Sequence, residues 1–135
     1  MQLIKLTYIA HGWHLSLTNG QPLINEDVEA WRYGPVIRPL YRRFRDFGDK
    51  PIPSYVIPSL PDVSNRTGLS AFLNYVWDAY KTFSGPQLST MTHQRGTPWW
   101  VTWNLGGGKD CLDETIPDSR IKEHYDQLKA SRSNA

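Results

Sequence analysis

A mainly α fold is predicted: a compact single-domain helical bundle of about five to six helices, with a small β-hairpin or extended segment near residues 22–33. Two observations carry this. Apolar residues recur at helical spacing in two separate stretches, Leu3 to Leu17 and Phe72 to Phe83. Helix-start signals with Pro in the first turn then appear at Ser84-Gly85-Pro86-Gln87 and at Thr97-Pro98.

In the first stretch, Leu3, Leu6, Ala10, Trp13 and Leu17 fall on one stripe, which predicts an amphipathic helix. It should end at Thr18-Asn19-Gly20-Gln21-Pro22, with Gly20 as the left-handed residue after the cap. Short, partly alternating runs at Leu23-Ile24 and Val28 to Trp31 flank the polar Asn25-Glu26-Asp27, which reads as a hairpin or two extended segments. Pro39 suits the first turn of a second helix, with Leu40, Phe44 and Phe47 on one face up to Gly48. Pro51, Pro53, Pro58 and Pro61 make residues 49–66 a Pro-rich surface loop.

The clearest period in the chain, Phe72, Leu73, Val76, Trp77, Tyr80 and Phe83, predicts a central core helix. A helix bearing Leu88 and Met91 follows and should end near Gly96, and a short one carries Trp99, Trp100 and Trp103. Gly106-Gly107-Gly108 predicts a flexible loop over 104–117. Asp118 or Ser119 can cap a last helix with Ile121, Tyr125 and Leu128 inward, fraying over 130–135.

Composition narrows the function classes. The 135 residues suit one domain, and six Trp, seven Tyr and four Phe supply large buried area per side chain. Fifteen Lys and Arg against thirteen Asp and Glu leave a formal charge of only +2, too small to indicate nucleic-acid binding. The lone Cys111 excludes an intramolecular disulfide and a Cys-rich metal site, which fits a reducing cytoplasm. The opening MQLIKLTYIAHGWHL lacks the n- and h-regions of a signal peptide, and no apolar run approaches the roughly 18 residues of a membrane span. A cytoplasmic protein without membrane contact is the expectation.

Three blocks resemble a known family. "LIKLTYIAHGWHL" is similar to the L-x-K-L-x-Y-x-A-x-G-W-x-L opening of the Panacea domain, the SocA-like antitoxin or GepA-like phage-associated family, through Leu3, Lys5, Leu6, Tyr8, Ala10, Gly12, Trp13 and Leu15. "EAWRYGPVIRPLYRRF" resembles its A-W-x-Y-G-P-V-x-x-x-L-Y block through Ala30, Trp31, Tyr33, Gly34, Pro35, Val36, Leu40 and Tyr41. "LSTMTHQRGTPW" resembles its L-S-x-x-T-H-x-x-x-x-P-W block at Leu88, Ser89, Thr92, His93, Pro98 and Trp99. The resemblance implies a mostly helical antitoxin of phages and mobile elements, not an enzyme, that neutralises a cognate toxin from a neighbouring gene by direct binding. Members usually carry a further helix ahead of the first block. Met1 falls just before that block here, so a partner completing the core, or a late start, is the expectation.

Each chemical constellation has a plainer reading beside it. His11 and His14 are three apart on a helix and can share a metal, but only His93, His124 or scattered carboxylates remain as further ligands; no metal and no cofactor are expected. Thr92-His93 has no nucleophile elbow to serve, and His93 is expected to bond a backbone group at a helix end. Gly106-Gly107-Gly108-Lys109 fails the phosphate-loop pattern, and Asp110, Asp113 and Glu114 fail the calcium-loop spacing. Nothing beside Cys111 activates a thiolate.

Trp31, Arg32, Tyr33, Gly34 and Pro35 read as a corner that also presents a docking surface, since Trp, Tyr and Arg are enriched at interface hot spots. Arg38, Arg42 and Arg45 share one helix face, beside Arg43. Contact with phosphate, contact with an acidic patch on a toxin, and a solvated face all fit that stripe. Partner-binding candidates are therefore Trp31, Tyr33, Arg38, Arg42 and Arg45, with a DNA-binding regulator using the Arg face as the alternative function. Leu6, Tyr8, Gly12, Trp13, Trp31, Gly34, Pro35, Tyr41, His93, Pro98 and Trp99 are the family-motif residues expected to be structural. Apolar neighbours of Leu6 and Trp13 left uncovered would favour a homodimer.

Overall fold

The computed structural model describes residues 2–47, 50 and 68–133. Among these there are seven α-helices, one 3-10 helix and a three-stranded sheet. Helix α1 (Gln2–Leu17) is followed by β1 (Val28–Trp31), β2 (Gly34–Ile37), α2 (Arg38–Phe44) and the 3-10 turn Arg45–Phe47. Then come α3 (Leu69–Tyr80), α4 (Gly85–Thr92), α5 (Pro98–Asn104), the single turn α6 (Gly108–Cys111), β3 (Glu114–Thr115) and α7 (Asp118–Ser133). The mainly α class is as predicted. The Pro-rich stretch 49–66 lies outside the described residues except for Lys50.

The hub is α1, not the helix with the clearest period. It packs against α7, α4, β2 and α3, and its buried residues, Ile4, Tyr8, Ile9, His11, Leu15 and Ser16 together with Ala10 and Trp13, spread over most of its circumference and leave only the side of Leu3, Thr7, His14 and Leu17 toward solvent. A helix buried over most of its circumference shows a blurred period, whereas a strong one-sided period marks a helix that buries one face. That one-sided helix is α3: only Val76 and Tyr80 are buried, and Tyr75 and Trp77 are 72% and 50% exposed. The expectation of a central core helix over 72–83 is thus corrected, as is the single buried stripe on α1, whose end residues Leu3 and Leu17 are exposed.

Polar side chains inside this hub are tied across elements. Trp13 Nε1 donates to the Tyr80 hydroxyl (2.9 Å) and Ser16 Oγ to Asp126 (2.5 Å), fastening α3 and α7 to α1. Lys122 and that same Ser16 bond hold the Asp126 carboxyl below its usual range. A Cβ on Gly12 would stand 2.2 Å from the Tyr125 ring, so the glycine is what lets α7 cross α1 so closely.

Helix ends follow local chemistry, with two shifts from expectation. At α1 the Gly20 N–H bonds the Leu15 carbonyl (2.7 Å), a Schellman closure that puts Asn19 (φ 55°), not Gly20, at the left-handed position after the cap. Asp118 gives its carboxylate to His11 (3.0 Å) instead of capping its own helix. At α4 the capping box forms as predicted: Gln87 Oε1 accepts from the Ser84 N–H (2.8 Å), and Ser84 Oγ from the Gln87 N–H (3.2 Å). That helix ends at Thr92, short of Gly96, because Thr97 already caps α5 (3.2 Å to the Trp100 N–H).

The sheet order is β2-β1-β3, all antiparallel, with Trp31 opposite Gly34 and Ala30 opposite both Pro35 and Glu114. The hairpin therefore spans 28–37 and not 22–33: Gly34-Pro35 begins the second strand, and Pro is tolerated there because β2 is an edge. The stretch 104–117 holds α6 and β3, so it is more ordered than a flexible loop, and α7 runs on to Ser133 past the predicted fraying at 130.

Candidate functional site

The three sequence blocks, distant along the chain, meet at the turn between β1 and β2. Lys5 Nζ on α1 donates to the Pro35 carbonyl at 2.8 Å. Ser89 Oγ on α4 donates to the Tyr33 carbonyl at 3.2 Å. Trp99 Nε1 on α5 donates to the Trp31 carbonyl at 2.5 Å. One donor from each of three helices thus holds three carbonyls of a five-residue corner.

Gly34 sits at the centre of this cradle. Its φ of +126° is unfavourable for a side chain, and a Cβ there would stand 2.8 Å from Lys5 Nζ. Neither Arg32 nor Tyr33 has positive φ, so the left-handed demand of the corner falls on Gly34. Lys5 is only 4% exposed, and burial pushes its amine down to about 8. His93 lies against Gly34 and packs edge-on to Trp99 (5.6 Å). Its Nδ1 is buried with no partner among the described residues, which corrects the expected backbone bond.

What the cradle presents is Tyr33, 72% exposed at the tip, with the Arg32 guanidinium 5.6 Å from its ring centroid. Trp31 is half-buried, packed edge-on to Tyr41 (4.8 Å) and bonded through Nε1 to Glu29 (3.0 Å). Arg38 is not a free member of a basic stripe. It donates to Glu29 at 2.7 and 3.2 Å and to Asp113 at 3.0 Å, tying α2 to β1 and to the turn before β3. Arg42 is exposed on α2, and Arg45 is exposed on the 3-10 turn that continues it, 4.0 Å from Asp46. Of the five partner-binding candidates, the structure groups Trp31, Tyr33 and Arg38 around the hairpin and leaves Arg42 and Arg45 along the adjoining helix.

The other constellations are occupied by structural roles. The Leu23 N–H donates to His11 Nδ1 (3.3 Å), which leaves the ring proton on Nε2 to face Asp118 (3.0 Å). His14 Nδ1 donates to the Gln21 carbonyl (2.7 Å), so the two imidazoles do not converge. Cys111 is exposed, and Glu114 beside it pushes its thiol up, away from a reactive thiolate.

Lys5 and Ser89 are the corner-holding residues that the candidate set omitted. The signal was present for Lys5: it shares a helix face with Tyr8, Ile9 and Gly12, and a charge on an apolar face must be partnered. Ser89 offered none, because a Ser within a helix usually bonds its own backbone.

Comparison with known proteins agrees with the region where these blocks lie. A family model described as "Antitoxin SocA-like, Panacea domain" matches residues 3–100. Antitoxin SocA of Caulobacter vibrioides (strain NA1000 / CB15N) is 32% identical over 145 residues, covering 98% of this chain and 74% of that protein. No solved structure matches the chain at a significant level.

Proposed function

The chain belongs to the SocA-like antitoxin, Panacea-domain family, and on that premise we propose that it is the non-enzymatic antitoxin of a phage or mobile-element toxin–antitoxin pair. It neutralises a toxin encoded by a neighbouring gene by binding it directly. The observation that carries this reading is an exposed Tyr33 on a corner whose carbonyls are held by Lys5, Ser89 and Trp99. An aromatic tip that is already fixed loses little conformational freedom on binding, and Tyr with flanking Arg is hot-spot chemistry. Arg42, exposed on α2, adds positive charge that would steer an acidic partner surface, whereas Arg45 lies 4.0 Å from Asp46.

A DNA-binding role for the Arg face is the weaker reading, because Arg38 spends its charge on Glu29 and Asp113. The test is co-expression with each adjacent gene, scored for growth rescue and for copurification through a tag on this chain. The proposal expects one neighbour that is toxic alone, harmless with this chain, and recovered in complex with it. Neighbours that are all harmless alone, or a toxic one that neither binds nor is rescued, would falsify it.

A further inference from the structure

Strand β1 has two unlike faces. Val28 and Ala30 are buried on one, whereas Glu29 and Trp31 share the other, because side chains two apart on a strand line the same face. Across the ladder Trp31 pairs with Gly34, which has no side chain to pack against the indole. The ring is held by other groups. Trp31 Nε1 donates to Glu29 Oε1 at 3.0 Å, the Tyr41 ring meets it edge-on at 4.8 Å, and the Arg38 guanidinium lies over it, 5.9 Å from the centroid.

Glu29 is the centre of this arrangement. Besides the indole N–H, it accepts from Arg38 Nη2 at 2.7 Å and from Arg38 Nε at 3.2 Å, and Nη2 also donates to Asp113 at 3.0 Å. The Glu29 side chain is only 14% exposed, and a carboxylate so covered stays charged in place because both of its oxygens have donors. One side chain thus fixes both the donor edge of the indole and the cation over its face.

We propose that Glu29 is a positioning residue of the toxin-docking face, holding Trp31 so that the indole meets the partner as a fixed apolar plate close to Tyr33. The inference rests on the antitoxin reading and adds to it the chemistry of a second contact. With its N–H already given to Glu29, the indole offers ring surface, so the matching group on the toxin is an aliphatic or aromatic side chain and not a hydrogen-bond acceptor. Trp31 is half-buried and stands two positions before the exposed Tyr33. Trp is among the residues most enriched at hot spots, and a ring held before binding loses little freedom when a partner covers it.

The test is calorimetric titration of the neighbouring-gene protein that the wild type neutralises with four full-length chains: wild type, Glu29→Gln, Trp31→Phe and the double variant, each checked by thermal melting. Gln keeps the shape of Glu29 but turns an amide N–H toward Arg38 Nε, donor against donor. Phe keeps a ring at position 31 and removes its N–H. Glu29→Gln is expected to weaken binding about 3- to 10-fold when Trp31 is present and less than about twofold when Phe replaces it, since a residue acting through the indole then has nothing to act on. Arg38→Lys, which cannot reproduce the two-pronged grip on Glu29, should show the same dependence on Trp31 and decides the matter if Glu29→Gln does not fold. Equal losses in both backgrounds would mean that Glu29 only supports the sheet. No loss in either, with Tyr33→Ala still weakening binding, would leave the docking face independent of Glu29. Each of these results overturns the inference, whereas a wild-type chain that neutralises no neighbour overturns the antitoxin reading and this inference with it.

Discussion

Lys5 shows how one buried charge can fix a turn that lies 30 residues further along the chain. Its hydrogen bond to the Pro35 carbonyl stays available whether or not the amine is protonated, but the charged form is penalised by burial, and the amine sits near 8 instead of 10.5. Below about pH 8 the amine is charged in both folded and unfolded chains, and the folded state bears the full cost. Between about 8 and 10.5 the unfolded chain binds more protons, so stability from this group rises with pH. The full gain is on the order of 3 kcal/mol. Thermal unfolding of the wild type and Lys5→Met at pH 7 and pH 10 should show the difference moving in favour of the wild type at the higher pH. A difference that is the same at both pH values would mean that the amine is not desolvated in the folded chain. Gly34→Ala meets the same cradle from above: with φ at +126° and Lys5 Nζ in the way, it should lower stability by about 1–3 kcal/mol in denaturant melts. Residue by residue, what the sequence could not reveal was long-range pairing. Arg38 shares a helical face with Arg42 and Arg45 by spacing, yet its partners are Glu29 across the sheet and Asp113, 75 positions away.

The two helices with apolar periodicity exchange the roles that the sequence predicts for them, and the reason is instructive. A sharp one-sided period, as in α3, marks a helix that needs only one covered face, and among the described residues even Trp77 of that stripe stays half-exposed. The blurred period of α1 arises because Lys5, His11 and Ser16 are buried with partners of their own. Amide hydrogen exchange should therefore be slowest in the middle of α1 and markedly faster in α3, whose side chains are mostly exposed. The reverse order would contradict the hub assignment. The α1–α7 crossing offers a sharper handle: Gly12→Ala drives a methyl into the Tyr125 ring, which is buried against Trp13 (5.1 Å between centroids) and cannot swing away. Destabilisation of about 1–3 kcal/mol is expected from such overpacking. Caps and turns were more legible than packing. The Ser84/Gln87 box and the Thr97-Pro98 start are written in adjacent residues, whereas β3 exists because it pairs with β1, a partner that no local pattern announces.

For the molecule as a whole, the mainly α class and the family were both readable from residues 3–99, because the blocks that carry the resemblance are the ones that build the cradle. What spacing along the chain does not convey is that these blocks converge on one turn and leave Tyr33 projecting from it. No helix among the described residues is long and apolar enough to cross a membrane. Lys5, Ser89 and Trp99 hold the tip, and Tyr33 is the residue proposed to dock from it, so the two roles can be measured apart. The measurement is calorimetric titration of the proposed toxin partner, the neighbouring-gene protein, with the wild type and Tyr33→Ala, alongside thermal melts of both chains. The account predicts affinity weaker by about 2 kcal/mol or more, roughly 30-fold, with melting temperatures nearly equal because Tyr33 is 72% exposed. Unchanged affinity for a folded Tyr33→Ala chain would contradict the claim that the hairpin tip is the toxin-binding site.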